Sequence, residues 1–331
     1  MRAAVFDRYG PPEVVRIEEV PRPVPKADEV LVRVHAATVS AADWRVRKAD
    51  PFIARAFSGL FRPTRTPILG MEFSGVVEAV GGAVTRFRPE DEVFGSPLFK
   101  LGAHAEFVCV PEDGPIAAKP ANMDFPEAAA VMFGALTALA YLPQAEIRPG
   151  QKALIYGASG SVGVFAVQLA KHLGAHVTGV CSTRNLELVR SLGADAVVDY
   201  TREDFSAAGP VYDVIFETVG KSSVRRGLKA LKRGGTYLAC APMPILLVPF
   251  LGGFLARRAG ARKVTMAPAK SDQPANAALI RDLVESGALR TVIDRTFAFE
   301  DIREAHRLAE GGHKRGHAVV LVRQAALLTG R

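Results

Sequence analysis

The run Lys152-Ala-Leu-Ile-Tyr156 reads as a short buried strand, Gly157-Ala-Ser-Gly160-Ser-Val-Gly163 as a glycine turn, and Val164-Phe-Ala-Val-Gln-Leu-Ala170 as the start of a helix. Strand, turn and helix in this order open a parallel βαβ unit, which narrows the fold more than any other stretch of the chain. Three glycines at three-residue spacing let the backbone turn tightly, come close to a ligand and seat the helix against the sheet. Free N–H groups at a helix N-terminus face an anion. Gly157, Ala158, Ser159, Gly160, Ser161, Val162 and Gly163 therefore read as a dinucleotide pyrophosphate site, although a glycine pattern alone also fits an ordinary loop.

The next element decides. Gly174-Ala-His-Val-Thr-Gly-Val180 is a second apolar run, and an acid binding the ribose 2′-OH of NAD belongs near its end, about 20 residues past the first glycine. The chain has Cys181-Ser182-Thr183-Arg184-Asn185 there instead. Two hydroxyls and a guanidinium suit a 2′-phosphate, so Ser182, Thr183 and Arg184 point to NADPH. The other reading of Arg184 is a solvated arginine in a first helical turn.

From Lys152 onward apolar runs alternate with helical stretches, with strands expected at 152–156, 175–180, 196–199, 212–217, 235–240 and 263–267. Helices are expected at 162–173, 184–192 and 221–232, the last stopped by Gly234-Gly235. Six strands make a complete doubly wound sheet, whose crevice at the ends of its first and fourth strands places Val219 beside the glycine turn. Residues 1–120 differ, with short alternating strands such as Val30–Ala36, Gly75–Val80 and Ala105–Val110 between Pro- and Gly-rich turns, the pattern of an all-β or barrel-like domain. Helical stretches at 272–286 and 300–310 and the run His317–Val322 return to it. The expected division is 1–122 plus 269–331 for the first domain and 123–268 for an inserted nucleotide-binding domain.

At 331 residues, 49% hydrophobic and 23% charged, the chain can bury a large core. It begins with a strand-like alternation and no signal-peptide pattern, and its three cysteines are scattered, which together point to a reducing cytoplasm. The net charge of +8 is spread without a nucleic-acid-binding signature, so no nucleic-acid partner is expected. The segment 244–256 is nearly all apolar, too short and too broken by Pro249 and Gly252-Gly253 to span a bilayer, and followed by Arg257 and Arg258. It reads as a cap over a substrate pocket, a subunit contact or a weak membrane contact.

Ordered motifs along nearly the whole chain resemble the zinc-independent quinone oxidoreductase branch of the medium-chain dehydrogenase/reductase superfamily. They are Ala37–Trp44, Pro67–Val77, Val84–Gly95, Gly102–Glu106, Gly134–Ala138, the Gly157 loop, Leu192–Tyr200 and Gly316–Val320. The resemblance implies an α/β fold with a doubly wound Rossmann domain inserted in a GroES-like, mostly-β catalytic domain. Where zinc-dependent members of the superfamily carry metal ligands, this chain has Ser40, Met71 and Phe133, none a plausible zinc anchor, and His313 and His317 lack a third ligand nearby.

By the same resemblance the chain is an NADPH-dependent reductase of a quinone or of the C=C bond of an α,β-unsaturated carbonyl, working as a monomer or homodimer on a small-molecule substrate. Thr137 matches the threonine near the nicotinamide, or else bonds its own helix backbone. Ser40 and Asp43 stand on the first catalytic loop, Trp44 is an aromatic wall or core packing, and Tyr200 matches a position near the adenosine phosphate or is a strand-end tyrosine. Ser40-Ala-Ala and Arg45 replace an Asn-Pro-Val segment and a tyrosine common in the branch, which leaves the substrate open. The alternative is an NADPH-binding protein with a structural, non-catalytic role.

Overall fold

A computed structural model describes residues 1–65, 67–240, 263–265 and 272–323. The apolar segment 244–256, Arg257, Arg258 and the end of the expected sixth strand lie outside the described residues. The chain divides into two units, Met1–Phe133 with Asp272–Gly287 and Thr291–Arg331, and Gly134–Ser271 with Ala288–Arg290.

In the first unit, β-branched residues alternate along a long strand that organises the rest. Strands β1 (Arg2–Val5) and β2 (Arg16–Glu19) form a separate hairpin-like pair, while β3 (Glu29–Val39), β4 (Phe73–Val80), β5 (Glu92–Gly95), β6 (Phe107–Pro111) and β7 (Ile116–Ala118) build a larger sheet. Two late strands, β14 (Ile293–Ala298) and β15 (His317–Leu321), complete it in the order β14-β15-β3-β4-β5-β7. The 11 residues of β3 serve two neighbours on one side, pairing with β6 over Glu29–Arg33 and with β15 over Ala36–Val39. Register shifts against β4 fall between Leu31 and Val32 and between Val34 and Ala36, the bulges by which a sheet curls toward a barrel. Val30, Val32 and Val34 face one core with Phe73, Val77 and Val93. The period-two pattern of β3 encodes that side choice.

Helices α1 (Ala41–Lys48), α2 (Arg55–Ser58) and α3 (Phe125–Ala129) belong to this unit, and α4 (Met132–Tyr141) crosses into the next. α3 packs on β3 and β4, and the Ser74 hydroxyl donates to the Phe125 carbonyl at 2.5 Å. These contacts carry the first unit through Phe133. The stretch Phe125–Ala145 is long and apolar enough to cross a membrane by length and composition, but 67% of its 18-residue apolar window is buried, as expected of core helix.

The second unit is a parallel sheet of β8 (Lys152–Tyr156), β9 (His176–Cys181), β10 (Ala196–Asp199), β11 (Tyr212–Glu217), β12 (Leu231–Ala239) and β13 (Lys263–Thr265), in the order β10-β9-β8-β11-β12-β13. That is the doubly wound order, with the first and fourth strands adjacent. Crossovers run through α5 (Ser161–His172), α6 (Leu186–Ser191) and α7 (Val224–Ala230). Gly234-Gly235 do not stop a helix as the sequence suggested. α7 ends at Ala230 and the glycines lie inside β12, where the register with β11 shifts between Tyr212 and Val214. Gly234 takes φ +78° there, and a Cβ on Gly235 would lie 2.8 Å from the Asp213 carbonyl. Two adjacent glycines mark a bulge as well as a helix end.

Chain then returns to the first unit through α8 (Gln273–Glu285), β14, α9 (Ile302–Glu310) and β15. Ala288–Arg290 stay with the second unit because the Gln168 amide brackets Arg290, donating to its carbonyl at 3.0 Å and accepting its N–H at 2.8 Å.

Candidate functional site

Adjacent parallel strands β8 and β11 place Tyr156 opposite Glu217, so the chain leaves both strand ends at one rim. Gly157 turns there with φ +83°, and a Cβ on it would sit 2.3 Å from Val219 Cγ2. A Cβ on Gly163 would lie 2.0 Å from the Gly157 carbonyl oxygen. Glycine is thus required by space at the third position, and by both space and the left-handed backbone at the first. Gly160 is the N-cap of α5 and contributes no side-chain bond to it, the uncapped arrangement in which a helix N-terminus receives phosphate. Ala158 is fully buried and its N–H donates to the Val180 carbonyl at 3.0 Å.

Three residues that the motif did not single out hold this cradle. Asn185 donates to the Ser159 hydroxyl at 3.0 Å and to the Ser182 hydroxyl at 3.2 Å, tying the glycine turn to the end of β9. Glu217, fully buried, accepts the N–H groups of Val219 at 3.1 Å and Gly220 at 2.7 and 2.9 Å. Burial raises its pKa against those bonds. Thr218 donates to the Tyr156 carbonyl at 2.8 Å. Their only sequence signal was position, at the ends of strands that border the crevice.

Past β9, Ser182 is half-buried while Thr183 and Arg184 are exposed. The Thr183 hydroxyl donates to Asp199 Oδ2 at 2.5 Å and lies 3.3 Å from the Thr201 hydroxyl. Asp199, only 4% exposed at the end of β10, has its pKa lowered by the bonds from Thr183 and Thr201. Tyr200 is 48% exposed, its N–H bonded to the Cys181 carbonyl. Residues 157–163, 182–184, Tyr200 and Val219 all follow carboxyl ends of strands in one sheet. Thr137 is half-buried on α4, one turn beyond Gly134, whose missing Cβ would meet the Ser161 carbonyl at 2.5 Å and the Phe165 ring at 2.8 Å.

In the first unit, Ser40 and Asp43 form the capping box of α1. The Asp43 carboxylate accepts the Ser40 N–H at 2.7 Å and its hydroxyl at 2.6 Å, and through its other oxygen the Gly70 N–H at 2.9 Å. Both are buried, so their polar atoms fix the loop. Trp44, half-buried, packs on the main core with the Arg45 guanidinium 5.3 Å from its ring.

The donors do not fit a zinc ion. The Ser40 hydroxyl is engaged in its cap, Met71 is 2% exposed within the core, and Phe133 offers a backbone N–H that donates to Glu72. Among the described residues no group of three His, Cys, Asp or Glu could hold a metal.

Glu72 is itself the centre of a buried polar cluster that the sequence did not reveal. It accepts from Thr38 Oγ1 at 2.5 Å and from the Phe133 N–H at 3.0 Å, with His317 Nε2 at 4.0 Å. Burial pushes its pKa up to about 7. Burial also lowers Lys314 to about 8 and His317 to about 3. The Thr38 carbonyl is 2.9 Å from His104 Nε2, and the His104 ring meets that of His306 edge-on at 5.7 Å. Arg47, fully buried, pairs with Glu310.

Residues 26–121 match the family described as the alcohol dehydrogenase GroES-like domain, and residues 192–320 match the one described as zinc-binding dehydrogenase. A mouse protein named NAD(P)H oxidoreductase RTN4IP1, mitochondrial, is 36% identical over 97% of this chain and 89% of its own length. The NADPH-dependent alkenal/one oxidoreductase, chloroplastic, of Arabidopsis thaliana is 31% identical over 97% of this chain and 79% of its own. The solved structure of the quinone oxidoreductase from Coxiella burnetii superposes with a TM-score of 0.87 at 32% identity, covering 98% of this chain and 99% of that one.

The cytoplasmic placement is corrected by these relatives, whose names are mitochondrial and chloroplastic and so point to an organelle. Free cysteines mark a reducing compartment and do not separate cytosol from the interior of an organelle. Glycine cradle, sheet order and full-length similarity agree: the chain belongs to the medium-chain dehydrogenase/reductase superfamily, in its quinone oxidoreductase branch, and is an NADPH-dependent oxidoreductase.

Proposed function

We propose that the chain reduces a quinone, or the C=C bond of an α,β-unsaturated carbonyl, without a metal. The observation that carries this reading is the side-chain-free cradle at Gly157 and Gly163, taken together with Ser40, Met71 and Phe133, which do not suit zinc. In this reading the pyrophosphate lies on Gly157–Gly163, with Val219 on the rim, and the 2′-phosphate near Ser182, Thr183 and Arg184, with Tyr200 beside the adenosine phosphate.

When bound, NADPH would supply a hydride for the β-carbon of the enone or for the quinone. An enolate or hydroquinone oxygen then carries the charge, and water supplies the proton, so no metal-stabilised alkoxide is required. Thr137 contacts the nicotinamide side of the cofactor and Trp44 is a flat wall for a planar substrate. Ser40 and Asp43 position the loop that presents Trp44. Their capping geometry supports that role over a direct part in proton transfer.

The test is NADPH oxidation with a small panel of enones and a quinone, with and without a strong chelator. Turnover insensitive to chelator is expected. Tight NADPH binding with no turnover across the panel would replace this reading by a non-catalytic one. Sedimentation of the same protein distinguishes monomer from homodimer.

A further inference from the structure

Residues 51–65 of the first unit carry three arginines and no carboxylate. They also carry three large side chains left in water: Phe52 is 66% exposed, Leu60 57% and Phe61 84%. The segment is held at its base. Tyr9 donates its hydroxyl to the Gly59 carbonyl, and the Arg55 guanidinium lies 4.7 Å from the Tyr9 ring and 4.8 Å from the Phe52 ring. Arg65 returns to the start of the segment, its N–H donating to the Ser58 carbonyl at 3.1 Å and its guanidinium to the Ala56 carbonyl at 3.2 Å. What remains outward is a tip, Leu60-Phe61-Arg62. Among the described residues no carboxylate pairs with Arg55, Arg62 or Arg65.

We propose that this tip docks on an anionic phospholipid surface, Leu60 and Phe61 entering the headgroup boundary while Arg62 and Arg65 meet lipid phosphates. Aliphatic and aromatic side chains beside unpaired arginines suit an interface that is apolar on one side and negatively charged on the other. A nucleic-acid groove accounts for the arginines but leaves Leu60 in water. The positive, carboxylate-free segment selects an anionic surface over a neutral one.

Flotation with phosphatidylcholine vesicles, with and without phosphatidylglycerol, tests this. The protein is expected to float with the anionic vesicles at low salt, to remain behind with the neutral ones, and to be released by high salt. Leu60→Ser with Phe61→Ser lowers partitioning by about tenfold or more, and Arg62→Gln by about fivefold. Quinone turnover without vesicles confirms that each variant is folded. Failure of the parent protein to float, equal binding to neutral vesicles, or undiminished flotation of the double variant overturns the proposal. So does sedimentation showing that the double variant splits a dimer, since the tip would then be a subunit contact.

Discussion

The two units bury polarity in opposite ways. At the nucleotide rim the chain removes side chains, leaving backbone at Gly157 and Gly163, and the buried carboxylate of Glu217 is spent on the N–H groups of the neighbouring turn. The first unit instead encloses Glu72 and His104 from loops, Arg47 from α1, His306 from α9 and His317 from β15. Glu72 is met by groups far apart in sequence, the Thr38 hydroxyl and the Phe133 N–H, while both ring nitrogens of His306 are buried without a hydrogen-bond partner. One site is therefore made by a local motif and breaks at single atoms. The other is made by topology and shows itself through pH.

The sharpest way to break the comparison is at the cradle. Gly163→Ala forces a Cβ to 2.0 Å from the Gly157 carbonyl, a backbone clash that no rotamer relieves. We expect NADPH affinity, read by fluorescence titration, to fall by about 100-fold or more. Gly82→Ala, where a Cβ meets nothing within 4 Å, should leave binding unchanged. Equal affinities in the two variants would remove the spatial argument for the third glycine.

The buried cluster is tested by Glu72→Gln. Its carboxyl rises from 4.5 to about 7 on folding, so the folded state keeps a proton that the unfolded chain has lost between those values. Stability therefore declines as pH climbs through that window, and the full penalty stands above it. His317 and His306, lowered by burial, run the other way, losing stability as pH falls below 6.5. Subtracting parent from variant removes what the two share and leaves the carboxyl with its coupling to Lys314. Urea denaturation should show the variant gaining on the parent by on the order of 3 kcal/mol between about pH 4.5 and about pH 7. A difference that does not change with pH would mean that Glu72 ionises as freely as in water.

Legibility followed the same division. The doubly wound sheet and the strand, turn and helix at Gly157 were readable because each rests on short-range patterns, period-two strands and a motif of fixed spacing. Gly234-Gly235 misled because glycine pairs serve helix stops and bulges alike, and only pairing with β11 distinguishes them. Asp43 looked like a catalytic-loop acid. The Ser40-x-x-Asp43 spacing is also that of a capping box, and the further bond from Gly70 could not be seen from the spacing. The cluster around Glu72 carried no local signal, since Thr38, His104, Lys314 and His317 meet only once the sheet has closed.

Cofactor choice offers a smaller effect. Arg184→Glu with Ser182→Ala should weaken NADPH by about 10- to 100-fold while sparing NADH, since charge-assisted hydrogen bonds are worth about 1.5–3 kcal/mol each. Unchanged affinities for both cofactors would place the 2′-phosphate elsewhere.

Smallest of all is the change expected at Thr183, which separates the hydroxyl from the guanidinium beside it. Its hydroxyl proton already goes to Asp199 Oδ2, so it has no second proton to give a phosphate. Thr183→Val should shift NADPH affinity by less than about threefold. The cost appears in stability, about 1 kcal/mol for leaving the Asp199 carboxylate one donor short while Thr201 still holds it at 2.7 Å. Paired titrations with NADPH and NADH, alongside urea denaturation, read both quantities. A tenfold loss confined to NADPH, with stability untouched, would show that Thr183 turns from Asp199 to the phosphate when the cofactor binds.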